Sequence, residues 1–158
     1  MRIMLHPLLT DPRNVALLKL LLGNPRMSIS ELARQLGVSA PTVRERLARL
    51  QERGVIRRFV ADLDPQALGL PVTVFVRIRP MAGKLSKIIE LAQTLPQVSE
   101  CHRITGEDCF ILKAHLAGLD RLDELIDQFL AYGQTTTSIV QSSPVHARGV
   151  PLPQGRVR

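Results

Sequence analysis

The sequence predicts an α+β protein in two unlike halves, and three observations carry that reading. Residues 28–54, SISELARQLGVSAPTVRERLARLQERG, hold two helix signatures joined by a glycine turn. From Val72 onward, short β-branched runs alternate with helical stripes in the order β-α-β-β-α-β. The net charge of +7 is uneven: residues 1–69 hold eleven Lys/Arg against six Asp/Glu, and the remainder ten against eight. A winged helix-turn-helix followed by a ferredoxin-like βαββαβ domain accounts for all three. The expected divisions are 1–61 for the first domain, 62–71 for a linker, 72–143 for the second domain and 144–158 for a tail.

The first helix starts where Asp11 can cap and Pro12 takes the first helical position. Val15, Leu18 and Leu22 read as its inward stripe, and Gly23-Asn24-Pro25 ends it. Ser28 and Glu31 stand at capping-box spacing, with Met27 and Leu32 placed to close a hydrophobic staple. Ile29, Leu32, Ala33 and Leu36 recur at helical period. Gly37 supplies the left-handed residue that ends the second helix. Ser39 caps the third, which has Val38 and Val43 at staple spacing and runs to Gly54. Val55–Val60 then alternates like a short strand, the wing, and brings Arg57 and Arg58 toward DNA or the domain junction.

The third helix is the candidate reader. Val43, Leu47 and Leu50 form the stripe that packs inward. At about 3.6 residues per turn, Thr42, Arg46, Arg49 and Arg53 share one exposed flank. Arg44 lies on the other, with Pro41 and Glu45 between. Arginine forks grip phosphates and guanine edges, and each neutralised phosphate releases condensed counterions. The candidate DNA contacts are therefore Ser39, Pro41, Thr42, Arg44, Glu45, Arg46, Arg49, Arg53 and Arg57. A solvated arginine face on an ordinary helix pair is the competing reading for any one of them.

Asp62–Pro71 is turn-rich and connects the halves. Val72–Ile78 is a strand stopped by Pro80. Leu85, Ile88, Ile89, Ala92 and Leu95 form a helical stripe stopped by Pro96. Val98–Ile104 is a second strand, Thr105-Gly106-Glu107-Asp108 a turn and Cys109–Leu116 a third strand. Leu119, Leu122, Leu125, Ile126 and Phe129 mark another helix, which Gly133 follows, and Thr135–Gln141 is the last strand. With both helices on one sheet face, the other carries Thr73, Phe75, Ile111 and Thr136 or their neighbours. A half-apolar open face on so small a domain invites dimerisation. The tail, with three prolines and three arginines, is expected to be extended or partly disordered.

Other function classes find little support. No run approaches the roughly 20 apolar residues that span a bilayer. The start, MRIMLHPLLT, lacks the features of a secretory signal, so the expected location is the cytoplasm without membrane attachment. A reducing compartment argues against pairing Cys101 with Cys109. Cys101, His102, Cys109 and His115 match no familiar zinc spacing and read as ordinary strand residues. No Ser/His/Asp constellation, paired-carboxylate motif or glycine-rich phosphate loop stands out. No catalytic residue, metal or cofactor is expected.

In this order and spacing the chain resembles the Lrp/AsnC, or feast/famine, family of transcriptional regulators. The resemblance spans about residues 9–143. It rests on Leu9–Leu22, SISELARQLGVSAPTVRERLARLQERGVI, the Leu68-Gly69 pair, and VSECHRITGED ahead of an apolar strand. It implies a RAM-type second domain that dimerises and often assembles into rings of dimers such as octamers. It also implies double-stranded DNA as partner and an amino acid or related small molecule as effector, bound between dimers near a G-x-x-D-like turn. Carried onto this chain, the effector residues are Thr105, Gly106, Glu107 and Asp108. A hairpin would use Gly106 and Asp108 for its turn alone. The family's usual acidic residue three positions after Asp11 is Asn14 here. Siroheme decarboxylases share the two-domain layout and resemble Gly54-Val55-Ile56-Arg57-Arg58. This chain, however, has His102 without Trp and keeps the regulator-type glycine and aspartate. An architectural DNA-packing protein that needs no effector is the third reading.

Overall fold

The computed structural model describes residues 5–153. Residues 1–4, within the segment read for a leader signal, and 154–158, the end of the tail, lie outside them. The chain divides into two compact units. One comprises the residues up to Ala61 together with those from Ala147, and the other is Asp62–His146.

In the first unit a 3-10 turn, Pro7–Thr10, precedes helices α1 (Pro12–Gly23), α2 (Ile29–Leu36) and α3 (Ala40–Glu52). The expected caps form. Asp11 Oδ1 accepts from the Arg13 N–H at 2.8 Å, and Ser28 Oγ accepts from the Glu31 N–H at 3.1 Å. Only half of the α2 capping box closes, because the Glu31 carboxylate turns to Arg34 (2.6 and 2.9 Å) and Gln35 (2.6 Å). Those donors hold its pKa down at about 2. Gly37, at φ 63° and ψ 38°, ends α2 in the left-handed region. Leu17, Leu18 and Leu21 of α1 meet Leu32, Ala33, Val43 and Leu50 in one buried cluster.

Two expectations need correction here. The α1 stripe is rotated: Leu17, Leu18 and Leu21 are buried with Asn14, while Leu22 is 52% exposed and Val15 half-buried. Nearly every position from Val15 to Leu22 is apolar, so periodicity does not select the face. Lys19 does, lying about 40–60° around the helix from Val15 and Leu22 and needing water. The wing strand is also missing. Val55 and Ile56 pack on the buried cluster and the Ile56 N–H bonds Leu50 O at 3.0 Å, but Val55–Val60 forms no strand. A strand exists only with a hydrogen-bonded neighbour, and the described residues present none to this segment.

The second unit is a four-stranded antiparallel sheet with two helices. In chain order these are β1 (Val72–Pro80), α4 (Leu85–Thr94), β2 (Val98–Arg103), β3 (Phe110–Leu116), α5 (Asp120–Leu130) and β4 (Gly133–Ile139), with sheet order β2-β3-β1-β4. The register Val74↔Ala114, Val76↔Leu112, Ile78↔Phe110 sets one apolar face against Ile88, Ala92, Leu125 and Phe129 of the helices. β4 begins two residues earlier than expected. Gly133 pairs with Pro80, and a Cβ there would stand 2.5 Å from Arg79 O. Glycine is thus the strand's closely packed first residue as well as the end of the turn after α5.

The opposite sheet face is more polar than expected. Phe75 and Ile111 share it with Arg77, Arg79, Lys113, His115, Glu100 and His102. Thr73 Oγ1 and His115 Nδ1 stand 3.0 Å apart, and Glu100 lies 3.6 Å from Lys113 and 3.3 Å from His102. No described helix is long and apolar enough to cross a membrane.

Residues 144–153 form neither helix nor strand, but the tail is not loose throughout. Leu152 packs on the buried cluster of the first unit. Gly149 lies against Leu22, whose Cδ2 a Cβ would approach to 2.5 Å.

Candidate nucleic-acid interface

The helix-turn-helix is α2, the Gly37 turn and α3. Val43 and Leu50, fully buried, hold α3 onto the unit, and Leu47 lies half-buried beside them. Ser39 caps α3: its Oγ accepts from the Thr42 N–H at 3.3 Å and lies 2.8 Å from Thr42 Oγ1. Both hydroxyls are therefore engaged locally at the start of the helix. Pro41, Arg44, Glu45, Arg49 and Arg53 are exposed, as is Arg57 beyond the helix, and Thr42 is half-buried. Arg49 has a loose partner in Glu45 at 3.6 Å. Among the described residues Arg44, Arg53, Arg57 and Arg58 have no ion pair, so their charge is available to an anionic partner.

Arg46 differs from the sequence expectation, which set it on the exposed flank with Arg49 and Arg53. Its side chain is 21% exposed, and Nη1 donates to Asp11 Oδ2 at 2.5 Å and to Asn14 Oδ1 at 2.7 Å. Asn14, 5% exposed, passes its Nδ2 hydrogen to Leu8 O at 2.8 Å. The Arg46 hydrogen bond is the main cause holding the Asp11 carboxyl below its usual range. Helical period correctly assigns Arg46 to that flank; what period does not contain is α1, whose N-terminus covers it. Sequence reasoning named Asp11 as a cap and noted Asn14, but missed that both pair with Arg46.

The second candidate site is the loop between β2 and β3. The Ile104 N–H bonds Cys109 O at 2.8 Å and closes a four-residue loop, Thr105–Asp108. Gly106 takes φ 117°, where side chains are disfavoured. Among the described residues the N–H groups of these four make no backbone hydrogen bond. Glu107 pairs with Arg79, and Asp108 lies 3.9 Å from Arg77 Nε. The loop thus combines free N–H groups with two carboxylates and two β1 guanidiniums. Arg77 and Arg79 were invisible in sequence, because strand pairing brings them there from about 30 positions away.

Cys101 is exposed on β2 and Cys109 half-buried just before β3. Partial desolvation by the neighbouring protein atoms raises the Cys101 thiol pKa, which disfavours the reactive thiolate. Among the described residues no three His, Cys, Asp or Glu side chains converge on a metal position.

Comparison with known proteins assigns both halves. Residues 10–57 match the winged helix-turn-helix DNA-binding family, and residues 73–150 the Lrp/AsnC ligand binding domain. The HTH-type transcriptional regulator LrpC of Bacillus subtilis is 30% identical over 132 residues, 84% of this chain and 92% of its own. The solved LrpC structure has a TM-score of 0.80 at 27% identity, covering 93% of this chain and 100% of LrpC. Escherichia coli AsnC has a TM-score of 0.80 at 28% identity, with 89% and 98% covered. A transcriptional regulator of Neisseria meningitidis, solved as a complex with L-Met, shares the fold with a TM-score of 0.83 at 23% identity, over 90% and 96%.

Proposed function

The chain belongs to the Lrp/AsnC family of transcriptional regulators, not a family of enzymes, and from that premise we propose a sequence-specific DNA-binding regulator that responds to an amino acid or related small zwitterion. The observation that carries the DNA reading is the exposed, cation-rich face of α3 on a capped and packed helix-turn-helix. In this reading α3 enters the major groove. Arg44 and Arg49 of the helix, Arg53 at its C-terminal cap and Arg57 beyond it take phosphates or guanine edges, and Pro41, Thr42 and Glu45 shape the contact. Ser39 serves mainly as the cap.

The β2–β3 loop is the proposed effector site. Its free N–H groups and the Arg77 and Arg79 guanidiniums suit a carboxylate, and Asp108 suits an α-ammonium. That the Neisseria neighbour was solved with L-Met supports this ligand class. The second domain is the proposed seat of dimerisation and higher assembly, and the cytoplasm the proposed compartment.

Selection of duplexes from a random pool, followed by an amino-acid screen on the selected site, tests the whole reading. The expected product is a pseudo-palindrome with half-sites about one helical turn or a multiple apart, whose affinity at least one amino acid changes. A pool that stays random supports an architectural DNA-binding protein instead.

A further inference from the structure

We infer that Arg46 is a positioning residue for DNA recognition and not a reader: with Asp11 and Asn14 it fixes how α3 sits on α1, and the exposed arginines read DNA from the helix it holds. The inference rests on the assignment of α3 as the reading helix.

Arg46 is unlike every other arginine of α3. Its two bonds reach 35 and 32 positions back along the chain, whereas the Arg49 partner, Glu45, lies on the same helix. Its Nε is sealed from solvent and has no acceptor among the described residues. A guanidinium in that state cannot swing out to a phosphate without abandoning two charge-assisted or polar bonds, to Asp11 and to the buried Asn14. Each partner has a second task. Asp11 Oδ1 caps α1 on the Arg13 N–H while Oδ2 holds Arg46. Asn14 accepts from Arg46 through Oδ1 and donates through Nδ2 to Leu8 O in the 3-10 turn.

This chain of bonds also explains the choice of amide over carboxylate at position 14. An aspartate there would add charge for Arg46 but has no hydrogen for Leu8 O, and would set two oxygens against each other. Asn14 therefore joins three segments where an acid would join two. A small rotation of α3 displaces its exposed side chains from base edges, while phosphate attraction tolerates the shift. The signature of a positioning role is thus lost discrimination with little change in the number of phosphate contacts, shared by variants of Asp11 and Asn14 that leave the guanidinium in place.

The test uses the full-length chain and duplexes selected by the wild-type protein, with scrambled duplexes as controls. Affinities are measured across salt concentration and corrected for the folded fraction. Arg49→Ala should lower the salt slope by about 0.9, the loss of one phosphate contact. Arg46→Ala should leave the slope within about 0.3 of wild type and reduce the ratio of specific to scrambled affinity at least tenfold. Asn14→Ala and Asp11→Asn should reproduce part of that loss, and neither should add to it in the Arg46→Ala background. Should Arg46→Ala fail to fold, Asn14→Ala and Asp11→Asn supply the same readout with the guanidinium in place. Retained discrimination in Asn14→Ala and Asp11→Asn overturns the inference even where Arg46→Ala loses it, because an arginine that reads a base would lose discrimination alone. An Arg46→Ala slope that falls as far as that of Arg49→Ala overturns it too. No selected sequence at all would instead overturn the reading of α3 on which the inference rests.

Discussion

Asp108 is where residue chemistry and regulation meet. Its carboxylate lies 3.9 Å from Arg77 Nε in a loop whose N–H groups make no backbone hydrogen bond among the described residues. Replacing it by alanine should abolish any amino-acid effect on DNA affinity while leaving ligand-free binding unchanged. Titration of the selected duplex with and without the active amino acid checks this, and a retained response returns Asp108 to a turn role. His115 supplies a pH dependence. Burial, and then the Lys113 ammonium, hold its pKa below 6.5 in the folded chain. As pH falls through 6.5 the unfolded chain takes up the proton first, so strand-domain stability should decline until the folded pKa is passed. Urea midpoints between pH 7.5 and 5.5 measure the slope, and His115→Gln should flatten it. An equal slope in the variant would contradict this source. At this scale the exposed arginines were legible in sequence, because helical spacing alone places Arg44, Arg49 and Arg53. The engagement of Arg46 was not, because its partners on α1 are distant in the chain.

Elements were legible wherever a local signal decides them. Asp11, Ser28 and Ser39 cap as their side chains and flanking residues imply, and Gly37 ends α2 in the left-handed region. The β-branched and apolar runs expected as strands form β1 and β3, whose burial alternates residue by residue. Signals failed where the pattern is degenerate or the partner remote. The leucine-rich α1 permits several stripes, and the segment after Gly54 alternates without a neighbour to pair with. Gly133 belongs to the second class, since the Arg79 carbonyl that demands glycine comes from another strand. Gly133→Ala should therefore cost about 1–3 kcal/mol through overpacking. Gly23→Ala, with nothing within 4 Å of the added Cβ, should cost nothing measurable. Chemical denaturation of both variants decides; equal stabilities would show that β4 yields at no cost.

On the scale of the whole molecule, the chain leaves the helix-turn-helix unit at Ala61 and rejoins it from Ala147. Composition could not show that return, because a segment rich in proline and arginine reads as loose. Its anchors are one leucine in a distant core and one glycine against Leu22. Ending the chain at His146 should remove the Leu152 packing and destabilise the helix-turn-helix unit by about 1–2 kcal/mol. Amide exchange of α1 in the full-length and shortened chains reads that loss, and identical protection would show the tail to be energetically idle.

The claim on which the rest depends is that α3 reads DNA, and the salt dependence of affinity tests it most directly. Arg44→Ala, Arg49→Ala and Arg53→Ala combined should lower the salt slope by up to about 2.7 if all three meet phosphates, since each contact contributes about 0.9. Where an arginine meets a base instead, the slope falls less and discrimination against scrambled duplex drops by about 1–3 kcal/mol. The triple variant should melt as the wild type does, because all three side chains are exposed. A variant that keeps both the wild-type slope and the wild-type discrimination would contradict the assignment of this helix as the reader.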